Sequence, residues 1–294
     1  MAGFFGFYNY NKPGPGVSKD AAKKIGIPLY FDILLRKFWK MILLNLLHVI
    51  SSIASFVVLW YLLTSLVAWG LSVIGFDITS ITSEESTAMT ILAICAVLTV
   101  SGMLGTGAST AASSYVLRNY VNDSHSWVAS DYWEHFKKNF LQGTIVFIID
   151  VVVICLFLVS ILFYAIELGG VLSVFICTVL CVCFVIYVMM HMYIYQIMAK
   201  FKMKLIDIYK SSLILVLIKL PWNTLCLIVS GLITYFIAYL IITRFISGML
   251  LVALIYFSLN IFTHIFMTNN IVRKYILEPS LEMEKQKEKD ALEE

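Results

Sequence analysis

The sequence predicts an all-α, polytopic membrane protein in which six transmembrane helices form three hairpins, each introduced by an interfacial elbow helix, with both termini in the cytosol. Three observations carry this: six long apolar stretches, basic residues confined to alternate connections, and aromatic-basic segments ahead of the odd-numbered stretches. The stretches lie at 41–71, 88–117, 143–166, 170–199, 211–241 and 247–271. Each is long enough to cross roughly 30 Å of hydrocarbon at ~1.5 Å per residue. With 61% hydrophobic and 13% charged residues, a water-soluble globular domain of this length is excluded.

Charge placement sets the orientation. Lys12, Lys19, Lys23, Lys24, Arg36, Lys37 and Lys40 precede span one, Arg118, Lys137 and Lys138 lie between spans two and three, and Lys200, Lys202, Lys204 and Lys210 between four and five. Arg273, Lys274, Lys285, Lys287 and Lys289 follow span six, so 19 of 21 cations share one side, leaving Arg244 outside and Lys219 within a span. The positive-inside rule assigns that side to the cytosol. The net charge of +3 therefore reports topology and implies no nucleic-acid partner. The first apolar run starts near residue 41 and is too long for a signal-peptide core, so span one is expected to be a permanent helix.

Three parts follow: a cytosolic tail at 1–27, a membrane domain at 28–275 and a charged cytosolic tail at 276–294. In the segment 29–39, Tyr30, Ile33, Leu34 and Phe38 cluster at helical spacing against Asp32, Arg36 and Lys37, the pattern of a helix lying in the headgroup plane. Phe38 and Trp39 close this elbow, Trp127, Trp133 and Phe136 mark a second one before span three, and Tyr209 a third before span five. The exterior is reduced to a loop around 76–87 with Asp77, Glu84 and Glu85, a turn at Glu167-Leu168-Gly169 and a turn at Arg244.

Span two contains Gly102, Gly105, Ala108, Ser109 and Ala112, small side chains that let backbones approach closely, either for packing within the bundle or to receive a partner's helix. Pro221, in Lys219-Leu220-Pro221-Trp222, removes a backbone hydrogen bond and is expected to kink or split span five. The cysteines at 95, 155, 177, 181, 183 and 226 fall within spans, without metal-site spacing, and are expected to pack as small apolar residues.

Ionisable residues within spans are costly, roughly 2.5 to 3.5 kcal/mol each, and so carry information. Here they are His48, Asp150, His191, Lys219 and His264, with Asn45, Asn223 and Asn260 as neutral companions. Each ionisable group lies roughly 10 to 13 Å from the cytosolic end of its helix at ~1.5 Å per residue, and together they are expected to form one inner-leaflet polar layer. A cytosol-facing vestibule with Asp150 and Lys219 as a neutralising pair is one reading; histidines satisfying helix–helix hydrogen bonds while Lys219 snorkels is the other.

Lys12-Pro13-Gly14-Pro15-Gly16-Val17, Arg36-Lys37-Phe38-Trp39-Lys40, Tyr115-Val116-Leu117-Arg118-Asn119 and Asp131-Tyr132-Trp133-Glu134-His135-Phe136-Lys137-Lys138-Asn139 together resemble the YesL family, also called DUF624. Where such proteins read Gly-Pro-Ala before the small-residue run, this chain has Gly105-Thr106-Gly107-Ala108. The resemblance implies a multi-pass protein of the bacterial cell membrane, commonly encountered beside carbohydrate ABC-transporter and glycoside-hydrolase components, and supplies no catalytic residues. Soluble-enzyme motifs are missing from the sequence, which identifies no cofactor, metal or catalytic residue. The functional expectation is a non-enzymatic accessory subunit bound to the permease of a carbohydrate ABC importer. An autonomous carrier or channel lined by His48, Asp150, His191 and Lys219 is the alternative, a regulatory partner of a sensor kinase a third. Membrane lipids are expected around the chain, and a homo-oligomer is left open.

Overall fold

The computed structural model describes residues 25–73, 75, 82–201, 203–279 and 281–282. The Pro/Gly signature at 12–17, Asp77 in the outer loop and the charged tail from 283 onward lie outside the described residues. The described chain is helical: α1 (Ile27–Arg36), α2 (Phe38–Ser51), α3 (Ile53–Val73), α4 (Ser83–Leu104), α5 (Ala108–Val121), α6 (Val128–Lys138), α7 (Phe140–Glu167), α8 (Gly170–Lys200), α9 (Leu205–Ile218), α10 (Leu220–Thr243), α11 (Phe245–Leu251) and α12 (Phe257–Val272). A π-helical segment, Val252–Tyr256, joins the last two, and another, Arg273–Leu277, follows α12.

Six of these helices are long and apolar enough to span a membrane: α3, α4, α7, α8, α10 and the continuous run Phe245–Leu277. The number agrees with the sequence reading, but three expected spans are interrupted. Span one divides at Ser52, whose N–H is shared between the carbonyls of His48 (3.0 Å) and Val49 (3.2 Å). Serine pairs such as Ser51-Ser52 are a recognised cause of such bends. Span two divides at Gly105 and Gly107, with φ of 91° and 74°, values at which a β-carbon clashes with its own backbone. The two glycines thus end one helix and start the next within span two. Span five divides at Lys219, next to the helix-opening Pro221.

Local chemistry sets the other boundaries. Thr82 caps α4 reciprocally with Glu85, accepting its N–H and donating its own backbone N–H to the carboxylate at 2.8 Å. Asp131 performs the equivalent service for α6, accepting from the Trp127 N–H at 3.0 Å and the Ser126 hydroxyl at 2.6 Å. At the positions of the expected elbows, α1 and α6 are separate short helices; at α6, Trp127 and Trp133 are exposed and Phe136 packs against Tyr132, Trp133 and Phe140. Trp39 is likewise exposed beside Phe38 at the start of α2. Tyr209 departs from expectation: it sits in α9 and packs against the largest core cluster, so the third elbow is the inward-facing first half of span five.

The centre of the bundle is α5, in which only Tyr115, Arg118, Asn119 and Val121 escape full burial. Its alanines and serines let α6, α7, α8 and α12 approach closely. The tightest point lies where Gly143 of α7 meets Gly107 and Ala108: a β-carbon on Gly143 would collide with the Ala108 backbone, and one on Gly107 would lie 2.7 Å from the Gly143 carbonyl oxygen. Packing is uneven along the spans. Residues Met189 to Ala199 of α8 are all buried, whereas Val171, Val174 and Phe175 near its other end are exposed, so α8 is packed at the end that carries Lys200 and open at the other. Cys181 and Cys183 fall in the exposed half; Cys95 and Cys226 are buried in core clusters.

Gly143→Ala is expected to destabilise the protein by about 1–3 kcal/mol through overpacking. Gly231→Ala, where the nearest atom to a new β-carbon is 4.0 Å away, should be neutral or mildly stabilising; thermal unfolding in detergent compares the two. His135 in α6 is buried and stacks on Tyr115 at 3.4 Å. Burial first, then Lys138 and more weakly Arg118, hold its imidazole below its ordinary value against the opposing pull of Glu134 and Asp131. Neutral His135 is therefore the form the fold favours, and its stability contribution is expected to be present above about pH 6.5 and lost as the pH falls below it. Between about pH 7.5 and about pH 5, the wild type should lose more thermal stability than His135→Phe.

Candidate functional site

Of the five ionisable residues expected in one layer, His48, Asp150, His191 and His264 are distributed over three hydrogen-bonded centres. The first lies between α7 and α8. Asp150 belongs to the buried stripe Gly143, Val146, Phe147, Asp150 and Ile154, so the spacing that buries apolar side chains also carries the carboxylate inward. Its Oδ1 accepts from Tyr187 at 2.5 Å and meets His191 Nε2 at 2.8 Å, with both ionisable side chains almost fully buried. His191 Nδ1 contacts the Tyr187 carbonyl at 3.0 Å, which leaves Nε2 for the carboxylate. Asp150 Oδ2 is buried without a hydrogen-bond partner.

This arrangement corrects the expected Asp150–Lys219 pair. The partners of Asp150 are Tyr187 and His191, whereas Lys219 is half-buried at the junction of α9 and α10. A buried imidazole on the neighbouring helix reaches the acid without the long flexible stem a lysine would have to order. The 2.8 Å contact gives each of these two buried groups a polar partner, which a low-dielectric surrounding requires.

The second centre surrounds the interruption between α4 and α5. His48 uses both ring nitrogens, Nδ1 with Ser113 Oγ at 3.0 Å and Nε2 with Thr106 Oγ1 at 3.2 Å, and its ring stacks on Phe257 at 4.9 Å. Ser52 reaches Thr106 Oγ1 at 2.8 Å, and Ser51 donates to Ser109 at 2.9 Å and contacts Tyr132 at 2.5 Å. The backbone groups freed by the break find side chains: Thr106 N–H donates to Thr110 Oγ1 at 2.8 Å, and Gly107 N–H to the Tyr195 hydroxyl at 3.3 Å. The third centre joins α4, α10 and α12. His264 Nε2 meets Ser230 Oγ at 2.9 Å, Ser230 donates to Asn260 Oδ1, and Asn260 donates to the Gly102 carbonyl at 3.2 Å.

A cavity of about 20 Å³ joins these centres, lined among others by Gly105, Thr110, His191, Tyr195, Gln196 and His264. That is room for about one water molecule. His48, Asp150 and Lys219 are not among its lining residues, so in place of the expected vestibule there is a small cavity touched by two of the five ionisable residues. Gly102, Gly105, Ala108, Ser109 and Ala112 are buried. They pack helices within this chain, and the partner-docking reading of that face is corrected. Sequence reading overlooked Tyr187 and Tyr195, although their spacing of four residues on either side of His191 places all three on one face of α8.

Residues 41–161 match the family model described as "Protein of unknown function, DUF624". That stretch runs from α2 to near the end of α7, taking in His48, the glycine break, α5 and Asp150 and stopping before His191, Lys219 and His264. No curated protein and no solved structure matches the chain.

Asp150→Asn and His191→Gln are each expected to cost about 3–5 kcal/mol by leaving a buried partner uncompensated. The double variant should fall short of the sum by about 1 kcal/mol or more. Asp150→Asn with Lys219→Gln should be additive; detergent unfolding of all five variants reads both cycles.

Proposed function

We propose that this chain, whose residues 41–161 carry the DUF624 match, is a non-enzymatic accessory subunit in a bacterial membrane that assembles with the permease of a carbohydrate ABC importer. The observation supporting this is where its polar groups go. The side chains that a conduit would use are engaged in hydrogen bonds within the chain, around a cavity of about 20 Å³. Its apolar helix faces point outward: only 6% of the apolar window of α8 and 11% of that of α3 are buried. A molecule built this way acts through its lateral surface. A groove of about 360 Å³ between α3 and α7, lined by Trp69, Gly70, Val73, Leu162 and Phe163, offers a partner helix a seat away from the buried α5.

A second reading, an autonomous carrier of small solutes, draws on the interruptions at Ser52, Gly105–Gly107 and Lys219 together with the buried Asp150–His191 pair. Interrupted helices near buried ionisable residues recur in secondary transporters.

Affinity purification from native membranes in mild detergent, with identification of stoichiometric partners, separates the two. Co-purification of importer permease and ATPase subunits is the expected outcome, and Gly70→Trp should reduce it without unfolding the purified chain. Recovery of this chain alone, with solute uptake in proteoliposomes that Asp150→Asn abolishes, would replace the accessory reading by the carrier.

A further inference from the structure

The basic ends of α5, α8 and α12 converge. Asn269 of α12 donates to Asn122 at the end of α5 at 2.9 Å, and Gln196 of α8 donates to Thr268 of α12 at 2.6 Å. Each helix brings one cation to its end: Arg118 in the last turn of α5, Lys200 closing α8 and Arg273 directly after α12. Lys200 lies within electrostatic reach of both guanidinium groups. Arg273 has a partner in Glu278 at 3.5 Å, but that pair is solvent-exposed and weak. Arg118 stands over the Tyr115 ring at 5.8 Å, and its Nη1 is buried without a hydrogen-bond acceptor.

Helix dipoles and the positive-inside rule account for solvated cations at these ends. Neither accounts for a buried guanidinium N–H with nothing to receive it, an arrangement that costs the full desolvation of that donor. We infer that Arg118, Lys200 and Arg273 form a binding site for a phosphate group at the basic end of the bundle. A phosphate presents several oxygens to three cations: the planar guanidinium fork of Arg118 takes two, and the ammonium of Lys200 acts as a point charge on a third. The group is the headgroup of an anionic phospholipid or a water-soluble phosphate. The site is separate from the Asp150 centre and independent of the partner proposed above.

The test uses the full purified chain. Retention of phosphatidylglycerol against phosphatidylcholine in mixed nanodiscs is measured by native mass spectrometry, and stabilisation of the delipidated chain by inorganic phosphate is measured by thermal shift. Preferential retention of phosphatidylglycerol, weakened about fivefold by Lys200→Gln or Arg273→Gln and more by Arg118→Gln, supports the headgroup. Phosphate-dependent stabilisation lost in the same variants supports a soluble ligand. Because Lys200 and Arg273 are exposed, their variants keep the test valid if Arg118→Gln does not fold. Failure of both probes overturns the site, and so does an equal loss in the control Lys137→Gln/Lys138→Gln, which would reduce the effect to net charge.

Discussion

Inside hydrocarbon there is no water to take up a backbone N–H or C=O, so a helix that breaks there must be repaired by the protein itself. The rest of this structure depends on that constraint. At the glycine break, Thr110 and Tyr195 receive the freed N–H groups of Thr106 and Gly107. At the junction of α9 and α10, Asn223 donates to the carbonyls of Leu215 and Val216 at 3.2 and 3.1 Å and is itself held by Tyr193. At the π-helical segment, Asn45 donates to the carbonyls of Val252 and Ala253 at 2.9 and 2.7 Å and accepts from the Ser258 N–H at 3.0 Å. Asn223 and Asn45, which look misplaced in apolar spans, are thereby the complements of backbone irregularities, one in its own span and one in another.

The same constraint orders the bundle in depth. The ionisable pair and the small-residue helix lie towards the basic ends of α5 and α8, while the opposite end of α8 is exposed apolar surface. Burial of Asp150 is tolerable because Tyr187 and His191 solvate it from a single helix, and that helix is held in register by its contact with the glycine break through Tyr195. Packing and polarity are therefore one system: without the close approach of α7 to α5 at Gly143, the carboxylate would lie away from the face of α8 that holds its hydrogen-bond partners.

Much of this was legible in the sequence. Apolar run length and cation placement identified six spans, and Pro221 announced the division of span five. The family resemblance rested on residues that largely fall in α2, α5 and α6. The breaks at Ser52 and Gly105–Gly107 were less legible because serine and glycine also occur in uninterrupted membrane helices; only the positive φ angles separate a hinge from a packing notch. The Asp150 partner was missed for a geometric reason. Depth along a helix can be counted from the sequence, but which faces meet depends on the rotation of α7, α8 and α10 about their own axes, and a lysine is the more obvious counter-ion than a histidine flanked by tyrosines. The small-residue face of α5 was recognised as a packing surface, yet sequence alone does not say whether the other half of the contact lies in the same chain.

The π-helical segment Val252–Tyr256 also acts as a phase setter. One extra residue in a turn advances everything after it by about 100° around the helix axis. Ser258, Asn260 and His264 all follow the segment and all are buried. The side chains that meet α2, α4 and α10 are thus not those that an unbroken α-helix starting at Phe245 would present. Asn45, by occupying the carbonyls of the wide turn, holds that rotational setting, so a residue of α2 determines which face of the final span the bundle sees.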